Sequence, residues 1–382
     1  MRDECVRVGV FFDIRNVSGY RLDVIQKRFG SRFDVNLGFL PRMSKSTLKE
    51  IARATGYSIT TVSRALGGFD DVNDHTRQVI LQEAERQGYE PNLAARALQT
   101  QRSNTVGLIT PLDGPRFPNP FFTEFVAGVG HTVGLAHFDL LLSTNVSHGS
   151  ELDAYRRLIG GRRVDGMIVL RTRVDDERIQ YLSRTGTPFV VFGRTENVDE
   201  YVFIDVDGEA GQAALTRHFI GLGHRRIAYL APPSELMFAR YRRHGFERAM
   251  QEAGLEVDQG LIIDTELTER AGAQAAKHLL DLDDPPTAIM AGNDQMAFAV
   301  MGAVQERGLR VGQDIAVGGF DDVSSAEHIH PGLTTVHQPI FDIAQRCAAT
   351  LLLLIAGVAI TNRATLIEPE LVIRASSGPP RP

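Results

Sequence analysis

The stretch LKEIARATGYSITTVSRALGG, residues 48–68, decides the fold of the N-terminal part of the chain. Apolar residues recur at helical spacing in its first half, and Gly56 favours the left-handed backbone that ends a helix. Ser58 is placed to cap a second helix, which ends at Gly67. Two short helices joined by a tight, glycine-containing turn predict a helix-turn-helix.

The exposed positions of the second helix carry side chains that suit DNA. Hydroxyl groups bond bases or phosphates, the guanidinium of Arg64 matches guanine O6 and N7, and Ile59 suits a thymine methyl. Basic residues outnumber acidic ones across residues 44–66, in a chain with a net charge of -6, so any DNA contact is expected on a local patch. The same pattern also fits an ordinary helical hairpin with a solvated charged face.

A third helix is predicted at about residues 74–87, with Asn73 as its cap, and it completes a small helical domain over residues 44–90. Residues 1–43 show no lasting periodicity and receive no function. We expect this segment to be disordered, either as an upstream extension before a natural start at Met43 or as a genuine tail.

The pattern changes beyond residue 104. Apolar runs such as TVGLIT, DGMIVL, PFVVFG and RIAYLA alternate with amphipathic stretches. Repeated strand-helix alternation favours parallel sheets that are covered by helices on both faces. Residues 104–376 are therefore predicted to form a large α/β domain.

Several functional classes lack their sequence signals. The two cysteines, Cys5 and Cys347, give no disulfide or metal-binding spacing. The apolar run at residues 347–360 falls short of the roughly 20 residues of a membrane span, and no secretory signal is recognisable, so a cytoplasmic protein is expected. We find no nucleophile elbow or phosphate loop, and we read His328 and His330 as solvated. The sequence therefore predicts that the protein is not an enzyme and that it binds no cofactor and no metal.

Three segments carry a family resemblance: TLKEIARATGYSITTVSRAL (residues 47–66), VNDHTRQVILQEAERQGYEPNLAARAL (72–98) and NTVGLI (104–109). In this order and spacing, with NPFF at 119–122, the chain from Met43 to about Ser376 resembles the lactose repressor and galactose repressor family of bacterial transcription regulators. The segments RTRVDDERI, VVFGRTE and FIDVDGEAG are similar to those of the family branch that regulates the use of α-glucosides and related sugars.

The resemblance implies roles in DNA binding. It implies base reading by Ile59, Thr60 and Arg64, and phosphate contacts that position the protein from Ser58, Thr61 and Ser63. Residues 91–103 would form a hinge helix and linker, in which Arg96 and Leu98 enter the minor groove and bend the operator. It also implies a homodimer on pseudo-palindromic double-stranded operator DNA.

The resemblance further implies a body of the periplasmic-binding-protein type, with two α/β lobes joined by three crossovers. We expect the crossovers near Gly193-Arg194, Gln338-Pro339 and Leu366-Ile367. The first lobe would hold residues 105–193 and 340–362, and the second lobe residues 194–337 and 366–375.

Candidate ligand residues stand where strands end, as the rule for open α/β sheets requires. They are Asn119, Phe122, Arg171, Arg194, Arg242, Asn293, Asp294, Phe320, Asp321 and Gln338, with Arg242, Asp294 and Asp321 as the strongest family matches. Carboxylates, arginines and aromatic rings together suit a saccharide or polyol. Each candidate also has a purely structural interpretation. Asp294 could cap a helix, and Arg171 and Arg194 could pair with surface carboxylates. Phe122 and Phe320 could belong to the hydrophobic core.

The sequence as a whole predicts a small-molecule-responsive, DNA-binding regulator. We expect a repressor of sugar-utilisation genes that a saccharide inducer releases from its operator. Two alternatives stay open: a periplasmic-type sugar-binding protein without a DNA role, and a regulator that uses a non-sugar corepressor.

Overall fold

The computed structural model describes residues 47–67, 69, 71–89, 102–110, 120–144, 150–196 and 200–381. The chain divides into two compact units, residues 1–91 and 92–382. Three predictions lie outside the described residues: the disordered N-terminal segment, the hinge with Arg96 and Leu98, and the ligand role of Asn119. No helix in the described part of the chain is long and apolar enough to cross a membrane.

The described residues of the first unit contain three helices: α1 (Leu48–Thr55), α2 (Ile59–Leu66) and α3 (Asp74–Arg86). Ile51, Val62 and Ile80 are fully buried where the three helices meet. The predicted helix-turn-helix and its third helix are confirmed.

Local capping explains the boundaries of these helices. Thr47 and Glu50 form a reciprocal capping box at the start of α1, and Gly56 ends that helix with φ of 74°. The hydroxyl of Ser58 accepts the amide of Thr61 at 3.0 Å, and Asn73 caps α3 through its side chain. Each cap satisfies an amide that has no partner within its helix.

The second unit begins with a lobe built on a six-stranded parallel sheet. Its elements are β1 (Thr105–Thr110), α4 (Pro120–Leu135), β2 (Asp139–Thr144), α5 (Glu151–Gly160), β3 (Gly166–Val169), α6 (Glu177–Thr185), β4 (Phe189–Phe192), β5 (Val202–Val206), α11 (Ile340–Ile355) and β11 (Ala364–Ile367). The strand order is β11-β5-β4-β3-β1-β2. α4 and α11 pack on one face of the sheet, and α5 and α6 pack on the other.

The second lobe is built on another six-stranded sheet. Its elements are α7 (Gly208–Gly221), β6 (Ile227–Ala231), α8 (Met237–Glu252), β7 (Ile262–Asp264), α9 (Glu269–Leu280), β8 (Ala288–Ala291), α10 (Asp294–Glu306), β9 (Ala316–Asp321), β10 (Thr334–His337) and β12 (Glu370–Val372). The strand order is β12-β10-β9-β8-β6-β7, and in this sheet β12 alone is antiparallel to its neighbour. α7 and α8 cover one face, and α9 and α10 cover the other. The predicted fold class is confirmed.

The first crossover differs from its predicted place near Gly193-Arg194. β5 pairs in parallel with β4, with Val190 opposite Val202, so it belongs to the first lobe. Its apolar residues pack into both cores of that lobe, which holds the strand there. The chain therefore enters the second lobe after Val206. It returns between β10 and α11, and β11 also completes the first sheet before the last crossing.

Candidate DNA-reading surface and interlobe ligand site

α2 presents the predicted DNA-reading residues on its outer side. Val62 and Ala65 are buried against the other helices, whereas Ile59 and Thr60 are exposed. Thr61, Ser63 and Arg64 are partly exposed. The helical period thus separates residues that hold the fold from residues that a groove of DNA could reach.

Three of the predicted DNA contacts, Ser58, Thr61 and Arg64, already have structural partners. The hydroxyl of Ser58 bonds both the amide and the hydroxyl of Thr61, and so it serves as the helix cap. Arg64 forms a bidentate ion pair with Asp71 and stacks on the ring of Phe69. Sequence reasoning missed Asp71, because no local pattern connects a loop carboxylate to a helix position seven residues earlier.

In the second unit, the carboxyl ends of the two sheets face each other. The amide of Met237, at the start of α8, donates to the carbonyl of Thr172 after β3 at 2.8 Å. Arg194, which follows β4, stacks over Tyr241 of α8. Residues that follow strands of the first lobe therefore contact the second lobe, where open α/β sheets bind ligands.

Arg242 is the central cation of this region. It is buried, its Nη1 donates to the carbonyl of Gly292 at 2.8 Å, and its guanidinium lies 3.5 Å from the ring centroid of Phe320. Among the described residues its Nε has no partner. Burial lowers the pKa of Arg242, while the nearby Asp321 and Asp205 carboxyls oppose that shift. A buried donor without a partner is a natural contact for a ligand.

Close packing of two helices fixes the position of Arg242. Gly245, one turn further along α8, contacts α7 so closely that a Cβ atom there would lie 2.2 Å from the carbonyl oxygen of Glu209. Glycine is therefore required for this approach. The approach places the stem of Arg242 against Gly208, at the start of α7.

Asp321 ends β9 in an unusual backbone conformation. Its φ is 125°, a value that L-residues rarely adopt, and such strain concentrates at functional sites. Nε2 of Gln338 donates to its Oδ1 at 2.7 Å. Burial raises the pKa of Asp321 to about 8, against the opposing charge of Arg242, and the charge of Glu124 in the first lobe adds to the rise. Asp321 and Gln338 thus lie together at the edge that faces the first lobe.

Asp205 is a site residue that sequence reasoning missed. It lies at the end of β5, accepts Nη1 of Arg194 at 3.1 Å and accepts the amide of Val206 at 2.9 Å. Burial raises its pKa to about 7, although Arg194 lowers it, and Arg242 across the lobes also lowers it. The signal was present in FIDVDG, a strand-end aspartate like that of GGFDD, but the misplaced crossover hid it.

Asp294 is a correction to the predicted ligand set. It is fully buried, and its two carboxylate oxygens accept the amide of Val323 and the hydroxyl of Thr335. Burial raises its pKa to about 6. Asp294 therefore ties β10 to the loop after β9 within the second lobe. Its neighbour Asn293 caps α10 by accepting the amide of Met296.

The two predicted aromatic residues are also placed differently. Phe122 packs into a core of the first lobe, and Phe320 is fully buried and reaches the site only through Arg242. Partly exposed rings lie nearby instead, at strand ends and helix starts: Phe121, Phe192, Phe238 and Tyr241. Phe121 and Phe122 are neighbours in the chain, but their positions around the helix axis give them different burial. The residues of NPFF alone do not show which of the two faces the core.

The two other predicted arginines lie on the first lobe. Arg171 has a left-handed backbone with φ of 53°, and its carbonyl accepts Nη2 of the buried Arg178. Arg194 pairs with Asp205 and Tyr241, as described above. Arg194 thus belongs to the interlobe contact, and its partner is a buried carboxylate rather than a surface one.

Comparison with known proteins agrees with both units. Residues 47–92 match the bacterial regulatory proteins of the lacI family, and residues 216–377 match a periplasmic binding protein-like domain. The transcriptional regulator CelR of Thermobifida fusca is 33% identical over 340 residues, which are 88% of this chain and 100% of that relative. The chain belongs to the lacI family of bacterial regulatory proteins. It is a helix-turn-helix transcriptional regulator and not an enzyme.

Solved structures of this family superpose along most of the regulator. A CelR-cellobiose complex matches with a TM-score of 0.67 and 32% identity, over 87% of this chain and 100% of that one. A lac repressor dimer bound to operator and an anti-inducer matches with a TM-score of 0.76 and 26% identity, over 87% and 99%. The alternative of a binding protein without a DNA role is excluded by the helix-turn-helix match.

Proposed function

We propose that this regulator is a homodimeric repressor of sugar-utilisation genes, which a saccharide inducer releases from a pseudo-palindromic operator. The observation that carries the saccharide proposal is a set of opposed polar groups at the lobe interface. Asp205 belongs to the first lobe, whereas Asp321 and Arg242 belong to the second. A ligand with several hydroxyl groups can bridge them, because a hydroxyl both donates to a carboxylate and accepts from an arginine.

The chemistry of these groups supports a saccharide. Carboxylates accept hydrogen bonds from neighbouring hydroxyls, and an arginine with a free donor gives one to a ring or hydroxyl oxygen. The partly exposed rings of Phe238 and Tyr241 supply apolar surface for the face of a sugar ring. The relative CelR has been solved with cellobiose in a structure of the same fold, which adds to this proposal.

The remaining predicted contacts enter the proposal according to their geometry. Gln338 acts through its hydrogen bond to Asp321, and Arg194 through Asp205 and Tyr241. Asn293, which caps α10, and Arg171 stay candidates because each follows a strand. Asn119 stays a candidate from the sequence alone. On DNA, we assign base reading to Ile59, Thr60 and Arg64, phosphate contacts to Ser58, Thr61 and Ser63, and minor-groove entry to Arg96 and Leu98.

Coupling between the two functions follows from differential affinity. A ligand that binds lobes in one relative orientation better than in another shifts the population of lobe orientations. In a dimer, that shift changes the geometry with which the two DNA-binding units meet the operator. Ligand and operator then weaken each other by the same factor, because the coupling is reciprocal.

The test is a thermal-shift screen of mono- and disaccharides, followed by operator titration with any hit. A ligand that binds the folded state raises the melting temperature according to its concentration and affinity. We expect a saccharide to stabilise the protein and to weaken operator binding. Stabilisation by nucleobases or amino acids alone would reject the saccharide, and tighter operator binding with the sugar would reject induction in favour of corepression.

A further inference from the structure

The loop between α2 and α3 holds the guanidinium of Arg64 by one of its edges. Arg64 Nε donates to Asp71 Oδ1 at 3.1 Å, and Nη2 lies 2.6 Å from Oδ2. A guanidinium has five N–H donors, and this side-on grip uses two of them. Of the other three, one on Nη1 and one on Nη2 point in parallel as an end-on fork, and this fork has no acceptor among the described residues.

The loop that carries Asp71 is itself anchored. The amide of Phe69 donates to the carbonyl of Arg64, and the amide of Val72 donates to the carbonyl of Phe69. Val72 is buried in the helical core, and Nη2 of Arg77 donates to the carbonyl of Phe69 at 2.7 Å. Asp71 therefore directly precedes Val72, a residue held by the helical core.

The ring of Phe69 fixes the plane of the same guanidinium. The Cζ atom of Arg64 lies 4.7 Å from the ring centroid, and the ring is 48% exposed. An arginine over an aromatic face gains a modest cation-π attraction. The carboxylate and the ring together limit both the rotation and the tilt of a side chain that would otherwise sample many rotamers.

The position of the free fork distinguishes two roles for Asp71. A masking carboxylate would occupy the donors that meet DNA, whereas a positioning carboxylate would leave them free. Guanine presents O6 and N7 side by side in the major groove and accepts two parallel N–H donors. The end-on fork of Arg64 has that geometry, and Asp71 lies on the other edge.

We propose that Asp71 is a positioning residue for base reading, which holds Arg64 so that its end-on fork meets O6 and N7 of a guanine. This inference rests on the proposed reading role of Arg64. The ion pair is exposed and stabilises the free protein little. The ion pair contributes when the protein binds DNA, because the side chain of Arg64 is already ordered before it meets the base.

The experiment uses the full-length protein and a duplex that it selects from a random library. Binding is measured on this duplex, on versions with each base pair replaced, and on a random duplex. Asp71→Asn replaces a carboxylate by an amide of the same shape and breaks the two-point grip. We expect the preference at the base pair read by Arg64 to fall about 3- to 10-fold, part of what a bidentate pair supplies, with no weakening on random DNA.

Matched variants separate this role from charge and from folding. Asp74→Asn makes the same charge change at an exposed residue of α3, and it should keep the base preference. Asp71→Glu restores a carboxylate and should recover part of the preference. In an Arg64→Ala background, Asp71→Asn should have no further effect on it. The melting temperature should stay within about 2 °C throughout, because surface changes shift stability little.

The outcomes keep the two proposals apart. If Arg64→Ala abolishes preference at one base pair but Asp71→Asn leaves it intact, the positioning role is wrong and base reading by Arg64 stands. Tighter operator binding by Asp71→Asn with unchanged preference would show masking and would overturn the inference. If Arg64→Ala changes no base preference, the reading role itself fails.

Discussion

The guanidinium of Arg194 in the first lobe lies over the ring of Tyr241 in the second, with 4.1 Å between Cζ and the ring centroid. Asp205 fixes Arg194 from within its own lobe. Tyr241 precedes Arg242 on α8, so one helix carries both a contact between lobes and the central cation of the ligand site. A change in the angle between the lobes must therefore alter this stacking contact.

Removing the ring should weaken the interlobe contact. Cation-π contacts contribute about 0.5 to 2 kcal/mol, depending on burial. If ligand binding favours the lobe arrangement in which this contact exists, Tyr241→Ala should raise the ligand Kd by about 2- to 30-fold by calorimetry. Tyr241→Phe keeps the ring and should bind nearly as well as the wild type. An equal loss in both variants would assign the effect to the hydroxyl instead.

The pKa of Asp321 makes stability depend on pH in a definite direction. Its folded value of about 8 lies above the usual value of 3.8, because the carboxyl is buried. The neutral carboxyl of Asp321 therefore contributes its full stabilisation of the folded state below the pKa of the unfolded chain. This contribution is lost as the pH rises through the pKa of the folded protein. Asp205, at about 7, acts in the same direction.

Between pH 7 and pH 9, the ligand-free protein should therefore lose about 1 kcal/mol of stability through Asp321. Histidines such as His218 and His224, whose pKa values burial lowers, are neutral across this range. Asp321→Asn should flatten the curve of melting temperature against pH. A variant whose curve keeps the wild-type slope would show that Asp321 does not titrate in this range.

Local chemistry explains which parts of the structure could be read from the sequence. The ends of α1, α2 and α3 are set by Gly56, Ser58 and Asn73, and each acts through contacts with near neighbours. Strand-helix alternation likewise gave the α/β class. Asp205 and the first crossover depend instead on the pairing of β5 with β4, which is decided by packing between distant segments.

The same distinction applies to the site. Strand ends located Asp321 and Gln338, because the carboxyl edge of a parallel sheet is a general property of the fold. Arg242 lies inside α8, and the family resemblance singled it out. The orientation of a side chain at that edge is not a general property of the fold. Asp294 follows β8 as expected, yet its oxygens turn inward to β10 and to the loop after β9. Only the tertiary structure separates such an aspartate from one that faces the cleft.

Substitution of Asp294 should therefore lower the stability of the fold, rather than act first on ligand binding. Asp294→Ala leaves the amide of Val323 and the hydroxyl of Thr335 buried without their acceptor, and each such group costs about 1 to 3 kcal/mol. Denaturant unfolding should show a loss of about 2 to 5 kcal/mol. Asp294→Asn retains an acceptor and should lose less. A fully stable Asp294→Ala that fails to bind the sugar would return the residue to the ligand site.

On the DNA side, Arg64→Ala should remove base reading more than general affinity. The guanidinium makes a specific contact worth about 1 to 3 kcal/mol, so operator binding should weaken by that amount while binding to random DNA changes little. Arg53→Ala, an exposed residue of α1, makes the same charge change outside the reading helix. It should leave base preference intact on a panel of single-base operator variants. If both substitutions weaken operator and random DNA equally, Arg64 contributes charge alone, and the specificity of the regulator must come from the other exposed residues of α2.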